Sequence, residues 1–242
     1  MSLNSFTFDG QTSTNWGVYI SGSGTFNTPN KEYSLQAVPG RNGDLVIDQK
    51  RFENIEVTYP AFIKGTNFRY SLGTMVTTLL SRNGYCTLTD TYHPNEFRQA
   101  IFRAAIEVEP TQALDGCSFE LVFECKPQRF LTSGTTETTY ATGTTQISNP
   151  GWFPSKPLIK VYGARTVNVG GTTLTVTEEP SDHITIIDCD LMECYSAAAG
   201  NRNEYVTSST DDFPEIPPGT TNIIVGAGSG FGVKITPRWW IV

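Results

Sequence analysis

Apolar and polar residues alternate along most of this chain, and one stretch switches to a helical period. Asn4 to Phe8 and Trp16 to Ile20 alternate on either side of Asp9-Gly10, a turn dipeptide, and predict two short strands. Tyr33 to Val38 predicts a third. From Glu53 to Ile63, residues Ile55, Val57 and Tyr59 share one side and Glu56 and Thr58 the other. That pattern is a half-buried strand, with Pro60 marking an edge or a bulge. Between these segments, Pro39-Gly40-Arg41-Asn42-Gly43-Asp44 carries two turn dipeptides and reads as a protruding tip. Residues 66–82 then change period: Phe68, Leu72, Met75, Val76, Leu79 and Leu80 fall at helical spacing, with Thr66 placed to cap and Gly84 to stop. Strands resume at Tyr85 to Asp90, Phe97 to Val108 and Cys117 to Cys125, which predicts an α+β domain.

After residue 150 no helical period recurs. Leu158 to Tyr162 predicts a strand, and Val167 to Val169 pairs with Leu174 to Val176 around Gly170-Gly171. His183 to Asp188 with Leu191 to Tyr195, and Asn222 to Val225 with Phe231 to Ile235, predict two further strand pairs. Turns every eight to twelve residues are the spacing of a β-sandwich. Between the halves, Pro127 to Pro150 is rich in Thr, Ser and Gly and loses apolar periodicity after Leu131. Its centre, Thr132 to Gln146, reads as a linker or a swapped-out arm; the other reading is a long hairpin loop within one domain. The expected organisation is residues 1–131, a connecting segment 132–150, and a second domain 151–242.

Composition bounds the function. The 242 residues are 38% apolar and 12% aromatic, enough for packed cores, but only 17% charged, which is compatible with partners covering part of the surface. Residues 1–131 carry 11 basic against 13 acidic side chains and residues 132–242 carry 6 against 11, for a total of −7. Neither half offers the basic footprint of a nucleic-acid or anionic-membrane binder. The five cysteines, Cys86, Cys117, Cys125, Cys189 and Cys194, are odd in number and lack CxxC spacing. Cys117 and Cys125 in one strand lie roughly 26 Å apart at about 3.3 Å per residue, too far to bridge. Free thiols in a reducing compartment are expected. No signal peptide and no membrane-spanning apolar run are visible.

Catalytic chemistry finds little support. The two histidines, His93 and His183, fall in different halves, and no GxSxG elbow is present. No Cys/His cluster has zinc-ligand spacing. Asp188, Asp190 and Glu193 are the densest acidic group, but they lack the glycine and spacing of a calcium loop and read as a solvated hairpin end. No carboxylate pair stands out for glycoside hydrolysis. No enzyme activity, cofactor or metal is therefore expected. Trp152, Trp239 and Trp240 could stack on sugars. Adjacent strand residues face opposite ways, so of Trp239 and Trp240 at most one lies in a core and the other is a candidate partner-facing residue.

Several segments, taken in order, carry a family resemblance. Val38 to Leu45 followed by Phe52-Glu53-Asn54-Ile55, then Gly84-Tyr85-Cys86 and Asp90-Thr91-Tyr92 after the helix, and Phe123 to Phe130, resemble the distal tail (Dit) proteins of siphovirus-type phages and prophages. Lys156 to Gly163, Ile187 to Asp190, Asp212 to Gly219 and Ile235 to Trp240 continue the match in the second half. No single piece is chemically diagnostic; the ordered set is specific. The resemblance implies a mainly β protein. Its N-terminal α+β domain, an antiparallel β-sandwich plus one helix, would build a tail-tube-like ring. Its C-terminal domain would be a galectin-like or carbohydrate-module-like β-sandwich.

It also implies a homohexameric hub at the virion tail tip, assembled in the host cytoplasm. Such a hub joins the major tail-tube protein and the tape-measure protein to the tail-associated and receptor-binding proteins, without membrane insertion or sequence-specific nucleic-acid binding. The alternative is a carbohydrate-binding module contacting host cell-wall polysaccharide; the chain has no insertion of the size that carries such modules in longer members. Within the ring reading, Pro39, Gly40, Arg41, Asn42, Gly43, Asp44, Leu45 and Val46 are the candidates for reaching a neighbouring subunit. Two turn dipeptides place them at a tip, and apolar Leu45 and Val46 follow at once.

Overall fold

The computed structural model describes residues 3–22, 24, 27–112 and 115–242. The chain divides into two compact units, residues 1–129 with Val242, and residues 130–241. Both are built from antiparallel strands, and the fold is mainly β, with one α-helix among the described residues.

The first unit contains β1 (Phe6–Phe8), β2 (Gln11–Thr12), β3 (Val18–Ile20), β4 (Lys31–Gln36), β5 (Leu45–Phe52), β6 (Ile55–Lys64), α1 (Phe68–Leu80), β7 (Cys86–Asp90), β8 (Glu96–Phe102), β9 (Val108–Pro110) and most of β10 (Gly116–Leu131). Its main sheet runs β2-β1-β7-β8-β10-β6-β3, with β9 also on β10. Asn4, just ahead of β1, bridges Ile20 of β3, so the sheet curls back towards its own far side. The alternation of β6 and β10 points Val57, Tyr59, Leu121 and Phe123 inward, and the aromatic rings of Phe6, Phe8, Tyr59 and Phe102 cluster around Phe123. Side chains of this size stabilise by about 1.5–3 kcal/mol each on full burial. Helix α1 seals the core with Phe68, Met75 and Leu79.

Two details differ from the sequence reading. Asn67, not Thr66, is the N-cap of α1, and no side chain caps that end. Pro60 lies within β6, which is paired on both sides, by β10 and by β3. The sheet accepts it because β3 ends at Ile20. A residue's N–H and C=O point to the same side of a strand, and Pro60 O takes the Ser21 N–H just past that end. The missing donor therefore faces a position where no strand pairing is due.

The second unit holds β11 (Thr138–Tyr140), β12 (Gly143–Asn149), β13 (Leu158–Tyr162), β14 (Arg165–Val169), β15 (Thr172–Val176), β16 (Ile184–Asp188), β17 (Glu193–Ser196), β18 (Gly200–Asn201), β19 (Val206–Ser208), β20 (Gly219–Val225), β21 (Val233–Thr236) and β22 (Trp240–Ile241). A six-stranded sheet, β11-β21-β13-β16-β17-β18, faces a five-stranded one, β12-β20-β14-β15-β19. Their inward residues, among them Ile159, Val161, Val167, Ile187, Ile223 and Ile235, form one core. Gly170 and Gly171 take the positive φ that the two-residue turn between β14 and β15 demands.

The segment expected to be a linker or arm is part of this sandwich. Residues Thr132–Thr135 form a 3-10 turn, β11 pairs with β21, and β12 pairs with β20 along its whole length. Tyr140, Ile147 and Asn149 point into the unit, and Gly134 is buried against Trp239. Backbone pairing there replaces the apolar periodicity that the sequence lacks. The expected pairing of Asn222–Val225 with Phe231–Ile235 is also corrected: β20 and β21 lie in different sheets, each bound to strands distant in sequence.

Candidate partner-binding surface

The first unit projects a two-stranded ribbon, β4 paired with β5, that pairs with no other strand among the described residues. Its tip is a consequence of local chemistry. Arg41 N–H returns to Val38 O at 3.2 Å across Pro39-Gly40, and Gly40 has φ 78°. Proline at the second position and a positive-φ glycine at the third make a type II turn. Gly43 repeats the positive φ before β5 begins. At the base, Lys31 pairs with Asp48 at 2.5 Å and Arg51 with Glu32 at 3.1 Å. The Lys31 hydrogen bond holds the Asp48 carboxyl below its ordinary range. Asn27 Nδ2 donates to Glu56 O at 2.7 Å and Glu53 N to Asn30 O at 2.9 Å, tying the base to the start of β6.

The register decides what the ribbon presents. Leu35 opposes Val46 and Tyr33 opposes Asp48, so Tyr33, Leu35 and Val46 share one face. Ser34 opposes Ile47 and Gln36 opposes Leu45, so Leu45 and Ile47 share the other. Both faces carry apolar side chains and both are open: Leu35 is 64% exposed, Val46 58% and Ile47 42%. A two-stranded ribbon of this kind is marginal alone in water, and covering its faces would return roughly 25 cal/mol for each Å² of apolar surface removed from solvent. The sequence-derived residues Pro39, Gly40, Arg41, Asn42, Gly43, Asp44, Leu45 and Val46 are all exposed and contiguous here. Tyr33, Leu35 and Ile47, in the strands flanking the tip, belong to the same surface; which of them face together emerges only from the register.

The tryptophans separate. Trp239 is 5% exposed, in the core of the second unit, so it presents nothing to a partner. Trp240 is half-buried on the opposite side; it stacks on Phe153 with centroids 4.5 Å apart and donates Nε1–H to Pro154 O at 2.9 Å. Trp152, 85% exposed, is the open tryptophan.

The remaining polar groups act as structure. Asp90 accepts from Tyr59 Oη at 2.7 Å and from the His93 N–H at 2.8 Å, with His93 Nδ1 3.1 Å away, which pins the turn after β7. His183, in the other unit, is exposed beside Glu179. Asp188 is bound by Arg238 rather than joined to Asp190 and Glu193 in an acidic site. Among the described residues no group of three or more His, Cys, Asp or Glu side chains is placed to hold a metal, and no helix is long and apolar enough to cross a membrane. All five cysteines are free thiols, four of them buried.

No protein-family model and no curated protein matches the sequence. Solved structures do match the fold. The crystal structure of SPP1 Dit (gp 19.1), described as a paradigm of the hub adsorption apparatus in phages that infect Gram-positive hosts, superposes with a TM-score of 0.71 at 14% identity, over 97% of this chain and 98% of that one. A chain of the phage p2 baseplate, in its activated conformation with Sr, gives 0.51 at 11% identity over 97% and 98%. At these identities the likeness is one of fold, and it spans both units.

Proposed function

We propose that this chain is a distal tail protein, a non-catalytic hub at the tip of a phage tail. Six copies close a ring that joins the tail-tube and tape-measure proteins to the tail-associated and receptor-binding apparatus, with the first unit forming the ring and the second projecting from it. The observation that carries this reading is the correspondence in fold to a hub protein across 97% of the chain, not across one common module. The ribbon supports it: a heterologous contact, repeated around a closed ring, covers apolar faces that a monomer leaves wet. On this reading Pro39 to Val46 reach the neighbouring subunit. Native mass spectrometry of wild type and of Arg41→Glu/Leu45→Ser tests it, with circular dichroism to establish folding. The expected result is a hexamer, alone or with the tail-tube protein, that the folded double variant loses. A wild type that stays monomeric under both conditions, or a variant that still forms hexamers at the same concentration, overturns the reading.

A second reading, saccharide binding by the second unit, is favoured by Trp152, whose ring is open to solvent. It predicts retention of the full chain on host cell-wall polysaccharide and loss of that retention in Trp152→Ala.

A further inference from the structure

Helix α1 has an outer face that is unusual for a surface helix. Exposed Tyr70, Gly73, Thr74, Thr77, Leu80 and Ser81 form one stripe, and no charged residue stands between Arg69 and Arg82. Solvent-facing helix surfaces are ordinarily polar and charged. The stripe's hydroxyls ask little of water: Thr74 Oγ1 donates to Tyr70 O at 3.0 Å, Thr77 Oγ1 to Gly73 O at 2.8 Å and Ser81 Oγ to Thr78 O at 2.8 Å. What remains outward is methyl groups, the Tyr70 ring at 74% exposure and Leu80 at 53%.

We propose that this stripe seats the ribbon of a second copy of the chain, through the ribbon face that carries Tyr33, Leu35 and Val46. The proposal rests on the ring reading above and adds the acceptor surface. A closed ring joins two different patches, so this face of the ribbon must meet something other than itself. The dimensions agree. Tyr70 to Leu80 spans about 15 Å at 1.5 Å per residue, and the uncharged run Tyr33 to Gln36 covers roughly 10–13 Å at 3.3 Å per residue. The charges fix the direction. Asp44 lies immediately before the ribbon's second strand, Arg69 lies immediately before the stripe, and neither makes an ion pair within the described residues. The first turn of α1 holds no acidic residue and no side-chain cap. An Asp44 from the neighbour would meet both the Arg69 guanidinium and the positive end of the helix dipole. The ribbon therefore docks with its tip towards the start of α1.

A charge swap in the full chain tests this. Asp44→Arg and Arg69→Asp, each alone, should lower the hexamer fraction in native mass spectrometry at least tenfold at fixed concentration, and the double swap should return it to within twofold of wild type. Tyr70→Ser/Leu80→Ser should dissociate the ring without changing the circular dichroism spectrum. If Leu35→Ser/Val46→Ser breaks the ring while the swap variants and Tyr70→Ser/Leu80→Ser assemble normally, the ribbon seats elsewhere and this proposal falls with the ring intact. If Leu35→Ser/Val46→Ser also assembles normally, the face carrying Tyr33, Leu35 and Val46 is not the one that docks and this proposal is overturned, while Arg41→Glu/Leu45→Ser remains the test of the ring itself.

Discussion

Arg238 grips Asp188 with two parallel hydrogen bonds, Nη1 to Oδ1 at 2.7 Å and Nη2 to Oδ2 at 2.8 Å. Asp188 ends β16, and Arg238 sits between β21 and β22 with φ 59°. The pair thus fixes the path of the chain into Trp239. Burial alone would raise the Asp188 carboxyl, but the Arg238 hydrogen bonds and the backbone N–H groups of Leu191 and Asp190 outweigh it and hold it below its ordinary 3.8. A carboxyl depressed on folding contributes stability in full above the unfolded value and loses it as pH falls through the lower folded value. Asp188→Asn should lower the stability of the second unit at pH 7 by about 2–3 kcal/mol. It should also flatten the acid limb below about pH 4, measured by urea unfolding between pH 2 and 7. An unchanged acid limb would show that other carboxyls dominate.

Trp239→Ala should cost about 3–5 kcal/mol, because a buried ring leaves a cavity. Trp240→Ala should cost much less, since its ring packs on Phe153 from one side. Equal, large losses in chemical denaturation would contradict this assignment of the two sides.

Gly134 is a close-approach position. A Cβ there would lie 2.3 Å from Trp239 N and 3.1 Å from Trp239 Cβ. Gly134→Ala should therefore destabilise the second unit by about 1–3 kcal/mol through overpacking, visible as a lowered thermal midpoint. A neutral result would mean that the turn Thr132–Thr135 can withdraw from Trp239.

Residues 132–149 should resist limited proteolysis as well as the other strands do, since their backbone is paired along β11 and β12. First cleavage should fall instead in the exposed ribbon tip at Arg41. Preferential nicking within 132–149 of the folded protein would refute that pairing.

Thiol reactivity should sort by burial. Burial pushes the Cys125 thiol up to about 12 and the Cys194 thiol to about 11, and raises Cys189 and Cys117 as well. The reactive species is the thiolate. At pH 8, Cys86, the partly exposed thiol, should label first and the other four only on unfolding. Rapid labelling of a second cysteine in the native state would contradict the packing around it.

The sequence displayed what depends on local period. Phe68, Met75 and Leu79 announced α1, Phe119, Leu121 and Phe123 announced β10, and Gly170-Gly171 announced its hairpin. It concealed what depends on distant partners. In β12 only Ile147 and Asn149 are buried among seven residues, so two inward positions could not outweigh the Thr, Ser and Gly signals of a loop. β20 and β21 are neighbours in sequence and strangers in space, because β12, β14 and β13 claim their edges. At the ribbon, the tip was legible from Pro39-Gly40 and Asn42-Gly43. The two-sided apolar character was not, since whether Leu35 stands beside Val46 or beside Ile47 depends on a register that a one-residue slip would invert.

The poor local credentials of α1 have a consequence in time. A helix with four threonines and serines on one side, a glycine in its middle and no side-chain cap has little tendency to form before it is packed, so it offers the nascent chain no early nucleus. Many of the strands offer none either: Phe6 must wait for Asp90, Lys64 for Gly116, and Leu131 for Trp239. Chains dominated by such distant pairings fold in milliseconds to seconds rather than microseconds. The ribbon, closed by its own tight turn, can form well ahead of them. In a cell making many copies at once, an element formed early would be one with two adhesive faces, and the rate of folding elsewhere would set how long those faces stay open to chance encounters.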